Sequence, residues 1–539
     1  MNDKVLMMNA KARKIISILF FIAIFVLGIF IYDDFGISTD EVQERRTTLV
    51  NAKYIMNTFG YDGLSDMDEN LLDYKDKYYG VFLQLPCVAI EWLTGFEDSP
   101  SIYLYRHLYV FGICILGYLS FYLLCMRLTR SNCLSLLGTI MLVFYPRFFA
   151  NQFYDIKDMI FASMYMVCMW VTVETISKKY QIKWLVIFAI LSAIATNVRI
   201  IGAIFPILLI GYILLTWIIG KCGIELEDRY THPLRSTLII LFVYIGSYIA
   251  MMPILWNHPI MGIVNAFRKF SRFDDWNGHV VFMGELVRGS EVPWYYVPIW
   301  LLISVPIWYW LLLLVAFATL GIVLVRGIKQ KKKISWVCLL RYKYLIWAVV
   351  LAVGPWLATV VFHSTLYNAW RHCFFLLPPI VFAIIYSLYL IKNKIRIPLC
   401  FRICLTGLIV LGLLNQSLWI VKNHPYQMVY LNPIGRVWGS QFDRDYWCLA
   451  TTDMCRYVLE NDTSAKISIN APFNMFERLL NEEEKDRIVI EENPTYWLES
   501  YRKIIGDDYV REGYEEIYTI VVDGYKIGSV QKRQNSGAF

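Results

Sequence analysis

Residues 11–41 read KARKIISILFFIAIFVLGIFIYDDFGISTDE. A basic cluster of Lys11, Arg13 and Lys14 precedes an apolar run from Ile15 to Tyr32, and Ser38, Thr39, Asp40 and Glu41 stand just beyond it. About 20 apolar helical residues cross the ~30 Å of bilayer hydrocarbon, so the run reads as a membrane span. It exceeds a secretory signal core and no small-x-small cleavage site follows. A retained anchor with its N-terminus inside is expected.

The same pattern recurs along the chain. Of 539 residues, 57% are hydrophobic and only 18% charged, against about 25% charged in ordinary soluble domains. Hydropathy predicts eleven spans, at 15–32, 104–126, 131–146, 159–176, 184–198, 200–220, 236–254, 297–325, 345–362, 373–391 and 400–420. Counting from an inside start, every even-numbered connection is basic. They hold Arg127 and Arg130; Lys178, Lys179 and Lys183; Lys221, Arg229 and Arg235; Lys329, Lys331, Lys332, Lys333, Arg341 and Lys343; Lys392, Lys394 and Arg396. This obeys the positive-inside rule, and a slip of one span would destroy it. The net charge of +7 is therefore a topology signal, and no nucleic-acid partner is expected. Twelve cysteines show no CxxC or Cys/His ligand spacing, which argues against zinc. Cys448 and Cys455 either pair in an oxidising compartment or stand as two free thiols on one helix.

The predicted fold is a polytopic α-helical plasma-membrane protein with a small C-terminal extracytoplasmic α/β domain. The transmembrane part covers 1–420, with interfacial helices in 33–103 and an outer loop at 255–294; the soluble part covers 421–539. Ser38-x-x-Glu41 is a capping-box pattern. Val42, Leu49, Ala52 and Met56 follow at helical spacing opposite Arg45 and Arg46, as in a helix lying in the outer interface. YYGVFLQLPCVAIEWLTGF from Tyr78 reads as a second such helix or a shallow re-entrant segment. Beyond Val421, KISIN and RIVIEEN read as strands, and FNMFERLLNEEEKDRI and YWLESYRKIIG as helices. IYTIVVDGYKIGSV reads as a hairpin about Asp523-Gly524.

Ionisable groups at membrane depth are expensive and point to function. Here they gather at the outer ends of the spans. Asp40 and Glu41 follow the first; YPRFFANQFYDIKDM carries Arg147, Tyr154, Asp155, Lys157 and Asp158; Arg199 ends the fifth; LYNAWRHCFFLLPP holds Tyr367, Asn368, Trp370, Arg371 and His372. Converging, they would form a polar pocket at the interface, open sideways to lipid. Sugar transfer from a polyprenyl phosphate suits that layout. The phosphate leaving group needs cations to hold its charge, and Arg binds phosphate bidentately. The acceptor hydroxyl needs one carboxylate to take its proton, and Asp40 stands where that base belongs. The scheme requires no cofactor, though a divalent metal is compatible with it.

STDE, YPRFFANQFYDIKD, LYNAWRH and HPYQMVYLNP resemble bacterial membrane glycosyltransferases of the GT-C fold, in the branch similar to protein O-mannosyltransferases and aminoarabinose transferases. The resemblance covers about residues 1–440. It implies a polyprenyl-phosphate (undecaprenyl-phosphate) sugar donor, Asp40 as catalytic base, Glu41 in support and Arg371 on the lipid phosphate. The chain departs from the O-mannosyltransferases in its 255–294 loop, which is too short for their inserted β-trefoil domain, so a protein acceptor is in doubt. Glycan and lipid acceptors stay open.

Plainer roles compete. Asp40 also fits helix-dipole compensation and Glu41 a capping role. Arg371 fits a snorkelling anchor. Lys157 and Asp158 could pair with each other; Arg147 and Arg199 suit interface anchors; His372 suits a structural hydrogen bond. Asp274, Asp275 and Glu285 read as a solvated face. Tyr154, Tyr367, Asn368, Trp370, Asp158 and His372 are the candidate sugar or acceptor contacts, and Lys157, Arg147 and Arg199 join Arg371 as candidate phosphate ligands. Three rival readings remain: a transporter or flippase of lipid-linked glycans, disfavoured by apolar mid-spans and absent repeats; a glycan polymerase or ligase; and a non-enzymatic scaffold working through its outer α/β domain, which leaves the clustered acid and base residues unexplained.

Overall fold

A computed structural model of the chain describes residues 2–62, 64, 67–222, 232–271, 276–331, 342–395 and 397–534. The expectations placed on Arg229, Asp274, Asp275, Lys332, Lys333, Arg341 and Arg396 lie outside them.

The protein is polytopic. Among the described residues, eight helical segments are long and apolar enough to cross a bilayer: Lys11–Ile31, Ser99–Thr129, Asp158–Ser177, Ile200–Lys221, Pro233–Ala250, Lys343–Val361, Arg371–Asn393 and Leu399–Lys422. Two further pairs are broken. Helices α5 (Asn132–Val143) and α6 (Pro146–Tyr154) meet at 66°, and α12 (Tyr296–Ser304) and α13 (Ile307–Lys331) at 111°. The uninterrupted spans expected at 131–146 and 297–325 are corrected accordingly. Both breaks fall at proline, which lacks an N–H and pushes the preceding residue out of the helical region. Val305, before Pro306, is extended at φ −80°, ψ 135°. The span expected at 184–198 is α8 (Ile182–Val198), 17 residues long and short for a crossing.

At the centre, α4 (Ser99–Thr129) packs against α5 and α7 (Asp158–Ser177), α7 against α8, and α8 against α10 (Pro233–Ala250). The charged segments expected outside pack against this bundle. The first is α2 (Thr39–Thr58); the second is α3 (Leu85–Thr94), with Trp92 and Leu93 exposed. The 255–294 loop contains α11 (Pro259–Ser271) and a hairpin of β1 (His279–Phe282) and β2 (Glu285–Arg288).

The C-terminal part is a five-stranded sheet in the order β4-β3-β5-β7-β6. Strands β3 (Ile467–Asn470), β4 (Ile488–Ile490) and β5 (Tyr496–Ser500) run parallel; β7 (Tyr525–Arg533) is antiparallel to β5 and β6 (Tyr514–Val522). The expected Asp-Gly hairpin joins β6 to β7, with φ 51° at Asp523 and 93° at Gly524, as a type I′ turn requires. Two helix expectations are corrected. YWLESYRKIIG supplies β5 and a 3-10 turn, Tyr501–Lys503, because its aromatic and apolar side chains fill the middle of the sheet. FNMFERLLNEEEKDRI splits into a 3-10 turn, Met475–Leu479, and a short helix, Glu482–Arg487, because Asn481 caps a fresh start. Cys448 and Cys455 are buried free thiols, so no bond joins them.

One continuous apolar core runs from α4 into this sheet. Gly36 shows how closely the parts meet: a Cβ there would lie 2.7 Å from the Leu449 carbonyl oxygen.

Candidate active site

Helix α2 presents the first acid. Ser38 caps it, and Glu41 closes the capping box by accepting from the Ser38 N–H at 2.7 Å. The Ser38 hydroxyl donates to the Tyr154 carbonyl at 3.0 Å, fixing the helix start on α6. Glu41 is also 3.0 Å from His107 Nε2 on α4. Glu41 is thus a buried support, while Asp40, one residue earlier, keeps its side chain 32% exposed.

Asp40 Oδ2 accepts from Arg371 Nη1 at 2.7 Å. The same nitrogen donates to Asp158 Oδ2 at 3.0 Å, and Arg199 donates to the other Asp158 oxygen. Asp158 opens α7, with its own N–H held by Asp155 Oδ1 at 2.8 Å. Burial pushes the Asp155 carboxyl well above the usual carboxylate range, and the neighbouring Asp158 adds to the shift. Lys157 does not pair with Asp158: its Nζ meets Glu44 Oε1 at 2.5 Å and lies 3.6 Å from the centroid of the Tyr79 ring.

Of the expected residues, the structure joins Asp40, Asp158, Arg371 and Arg199 in one connected network, with Lys157 beside it. Aromatic rings wall it. The Arg371 guanidinium lies 4.4 Å from the Trp447 ring and 5.0 Å from Tyr367. Tyr367 stacks on Trp276 at 4.1 Å and meets His372 edge-on at 4.5 Å. That ring contact stands where a hydrogen bond was expected for His372. Asn368 and Ala369 both have positive φ, 58° and 57°.

Other expected residues stand apart. Arg147 is buried, donates to the Tyr430 carbonyl at 3.1 Å and faces the Trp300 ring at 5.1 Å. It makes no ion pair among the described residues. Trp370 is buried and donates to Ser304 at 2.8 Å. The Tyr154 ring packs beside Phe35, and its hydroxyl has no partner among the described residues. Among the described residues, no group of three or more His, Cys, Asp or Glu side chains is arranged to hold a metal ion.

Four contributors escaped the sequence reading: Glu44, Tyr79, Asp443 and Trp447. Glu44 follows Asp40 by one helical turn, and that spacing was the available signal. The face that α2 buries is mostly polar, made by Glu41, Glu44, Thr47, Thr48 and Asn51 together with Val50 and Ala52; of the apolar residues expected on one face, Ala52 is buried while Val42, Leu49 and Met56 are only half-buried. Tyr79 sits in the loop between α2 and α3, and Asp443 and Trp447 lie beyond the last span, with no motif to mark them.

No family model matches the chain, and no curated protein matches it. A solved structure similar to it is ArnT from Cupriavidus metallidurans, crystallised bound to undecaprenyl phosphate. The likeness covers 95% of this chain and 98% of that one, at 11% sequence identity and a TM-score of 0.42.

Proposed function

We propose that the protein is an inverting membrane glycosyltransferase. It moves a monosaccharide from a polyprenyl-phosphate carrier to an acceptor hydroxyl at the outer face of the plasma membrane, with its N-terminus cytoplasmic and its C-terminal region outside. The observation that carries this reading is one continuous arrangement. Arg371 bridges Asp40 and Asp158 at 2.7 and 3.0 Å and begins a 3-10 helix, Arg371–Leu376. Leu376 at its far end lines an apolar cavity of about 460 Å³, walled also by Leu301, Leu313, Phe317, Leu345 and Ile380. A phosphate-holding cation and a hydrocarbon-holding cavity thus share one element, as a lipid phosphate requires.

The chemistry is a single displacement. As the acceptor oxygen attacks the anomeric carbon, Asp40 takes its proton. The bond from that carbon to the phosphate oxygen breaks, and its electron pair stays with the phosphate. Arg371 and Arg199 hold the charge that develops there, and attack from the face opposite the phosphate inverts the centre. The acceptor is a glycan, lipid or protein hydroxyl of the cell envelope.

The test is Asp40→Asn in the purified protein in lipid nanodiscs, given a polyprenyl-phosphate monosaccharide and an acceptor. Transfer should fall by roughly 10²–10⁴-fold, the range for losing a general base, while polyprenyl phosphate still binds. Undiminished transfer by the variant would overturn the reading. So would a wild-type protein that moves the lipid across the bilayer without forming a glycosylated product.

A further inference from the structure

The segment 443–447, DRDYW, joins the C-terminal sheet to the site, and its side chains diverge. Arg444 grips the sheet, donating to Asp507 at 2.5 Å and to the carbonyls of Lys526, Ile504 and Gly506 at 2.6–2.7 Å. Asp445 accepts from the N–H groups of Leu449 and Ala450, at 3.0 and 2.8 Å, where the next helix begins. Trp447 lies on the Arg371 guanidinium. Asp443 does something else. Its Oδ1 accepts from the Val281 N–H at 2.7 Å and its Oδ2 from the Ala369 N–H at 3.4 Å, while its own N–H donates to the Val281 carbonyl at 3.0 Å. One buried carboxylate therefore ties strand β1 to the turn two residues before Arg371.

That turn needs a tie. Asn368 and Ala369 are consecutive left-handed residues. Non-glycine residues resist this region, Ala more than Asn because it has no polar side chain to bond locally. The conformation persists only when its surroundings enforce it. On one side the Leu366 N–H donates to the Gly289 carbonyl at 2.9 Å and Trp276 stacks on Tyr367. On the other side is Asp443.

We propose that Asp443 is a positioning residue for Arg371: by holding the left-handed Asn368–Ala369 turn, it fixes where the guanidinium meets the donor's phosphate. The C-terminal segment thereby belongs to the working site. This rests on the proposed phosphate role of Arg371.

The test uses the full-length protein in nanodiscs, with kcat and KM measured for the lipid-phosphate donor. Asp443→Ala should lower kcat/KM roughly tenfold, mainly through KM, as expected when a buried N–H loses its acceptor and the turn relaxes. Adding Ala369→Gly should restore most of that loss, because glycine takes positive φ without help. A carboxylate with a merely structural role would not be rescued at that position. If Asp443→Ala does not fold, Asp443→Asn with and without Ala369→Gly gives the same comparison, since the amide offers one acceptor oxygen to two N–H groups. Wild-type kinetics in the Asp443 variants, or a loss that Ala369→Gly leaves in place, overturns the proposal. Arg371→Gln separates the layers. If it abolishes transfer while the Asp443 variants behave as wild type, only the positioning role fails; if it leaves transfer intact, the phosphate role itself fails.

Discussion

Asp40 and Arg371 are 331 positions apart in the chain and share a hydrogen bond of 2.7 Å. Without substrate, the candidate base and the candidate phosphate ligand neutralise each other. Because the same Arg371 nitrogen also reaches Asp158, an incoming phosphate can draw the guanidinium from Asp40 while Asp158 keeps it anchored.

Arg371→Lys follows from that geometry. A lysine restores the charge, and its ammonium has the donors to bridge both carboxylates as Nη1 does, but it lacks the planar fork that holds a phosphate bidentately. Transfer should fall on the order of 10–10³-fold, the scale of losing a preorganised stabiliser of leaving-group charge. Arg371→Ala should go further and lower the unfolding temperature, because it strips the buried Asp158 of one of its two cations. Breaking a buried pair on one side costs about 3–5 kcal/mol. Wild-type kcat/KM in Arg371→Lys would argue against the bidentate role.

The Glu44–Lys157 pair tests whether the neighbouring charges serve structure or chemistry. Both side chains are nearly buried, at 12% and 10% exposure. Glu44→Leu alone leaves the Lys157 ammonium, held against the Tyr79 ring, without its carboxylate and should destabilise the protein by about 3 kcal/mol. Adding Lys157→Met should recover most of that stability, since an apolar pair of similar volume often matches a buried ion pair. If Lys157 contacts the donor, the double variant recovers the unfolding temperature but not kcat/KM. Joint recovery of both would assign the pair to structure.

How far these features could be read from the sequence varies by element. The crossings were legible because a bilayer demands about 20 apolar residues in a row, and few other structures need that. The breaks at Pro146 and Pro306 were not, since a proline inside an apolar run fits a kinked span as well as two helices. Strand β5 was misread because its apolar side chains are set by neighbours brought from distant sequence. Asp40, Arg199 and Arg371 were legible through the cost of charge near hydrocarbon. Trp447 and Asp443 lie in a polar stretch of sequence where a charge draws no notice, and only the folded chain buries them against Arg371 and its turn.

The pH dependence of stability tests the burial of Asp443. Desolvation raises its carboxyl from the ordinary 3.8 to about 7, against bonds from the Val281 and Ala369 N–H groups and the opposing pull of Arg502 and Lys503; Tyr296 is also within its field. Between about pH 4 and 7 the folded protein holds a proton that the unfolded chain has released. Its contribution to stability is therefore full below pH 4, declines as pH rises to 7 and is level above. Asp443→Asn removes this titration. The unfolding temperature of the variant relative to wild type should climb from pH 4 to 7 and then plateau; a difference that stays constant across the range would mean the carboxyl titrates normally.

The proposed orientation makes a prediction about native thiols. Cys133 is exposed in the first turn of α5 (Asn132–Val143), just past the connection from Ser99–Thr129, and Cys222 is exposed just after Ile204–Lys221. With the N-terminus cytoplasmic, both sit next to basic connections that face inward, near Arg127, Arg130 and Lys221. A membrane-impermeant maleimide should leave them unlabelled in intact spheroplasts and label them once the membrane is opened. A cysteine placed at Glu482, exposed in the C-terminal part, should show the reverse order and label in intact spheroplasts. The two arms constrain each other. Labelling of Cys133 from outside together with protection at position 482 would invert the protein and put the Asp40–Arg371 site on the cytoplasmic face, where the donor and acceptor named here could not both be met. Both positions labelled from outside would mean that an odd number of crossings does not separate them, and the eleven-span register would have to be redrawn at the bent Tyr296–Lys331 region or at the short helix Ile182–Val198.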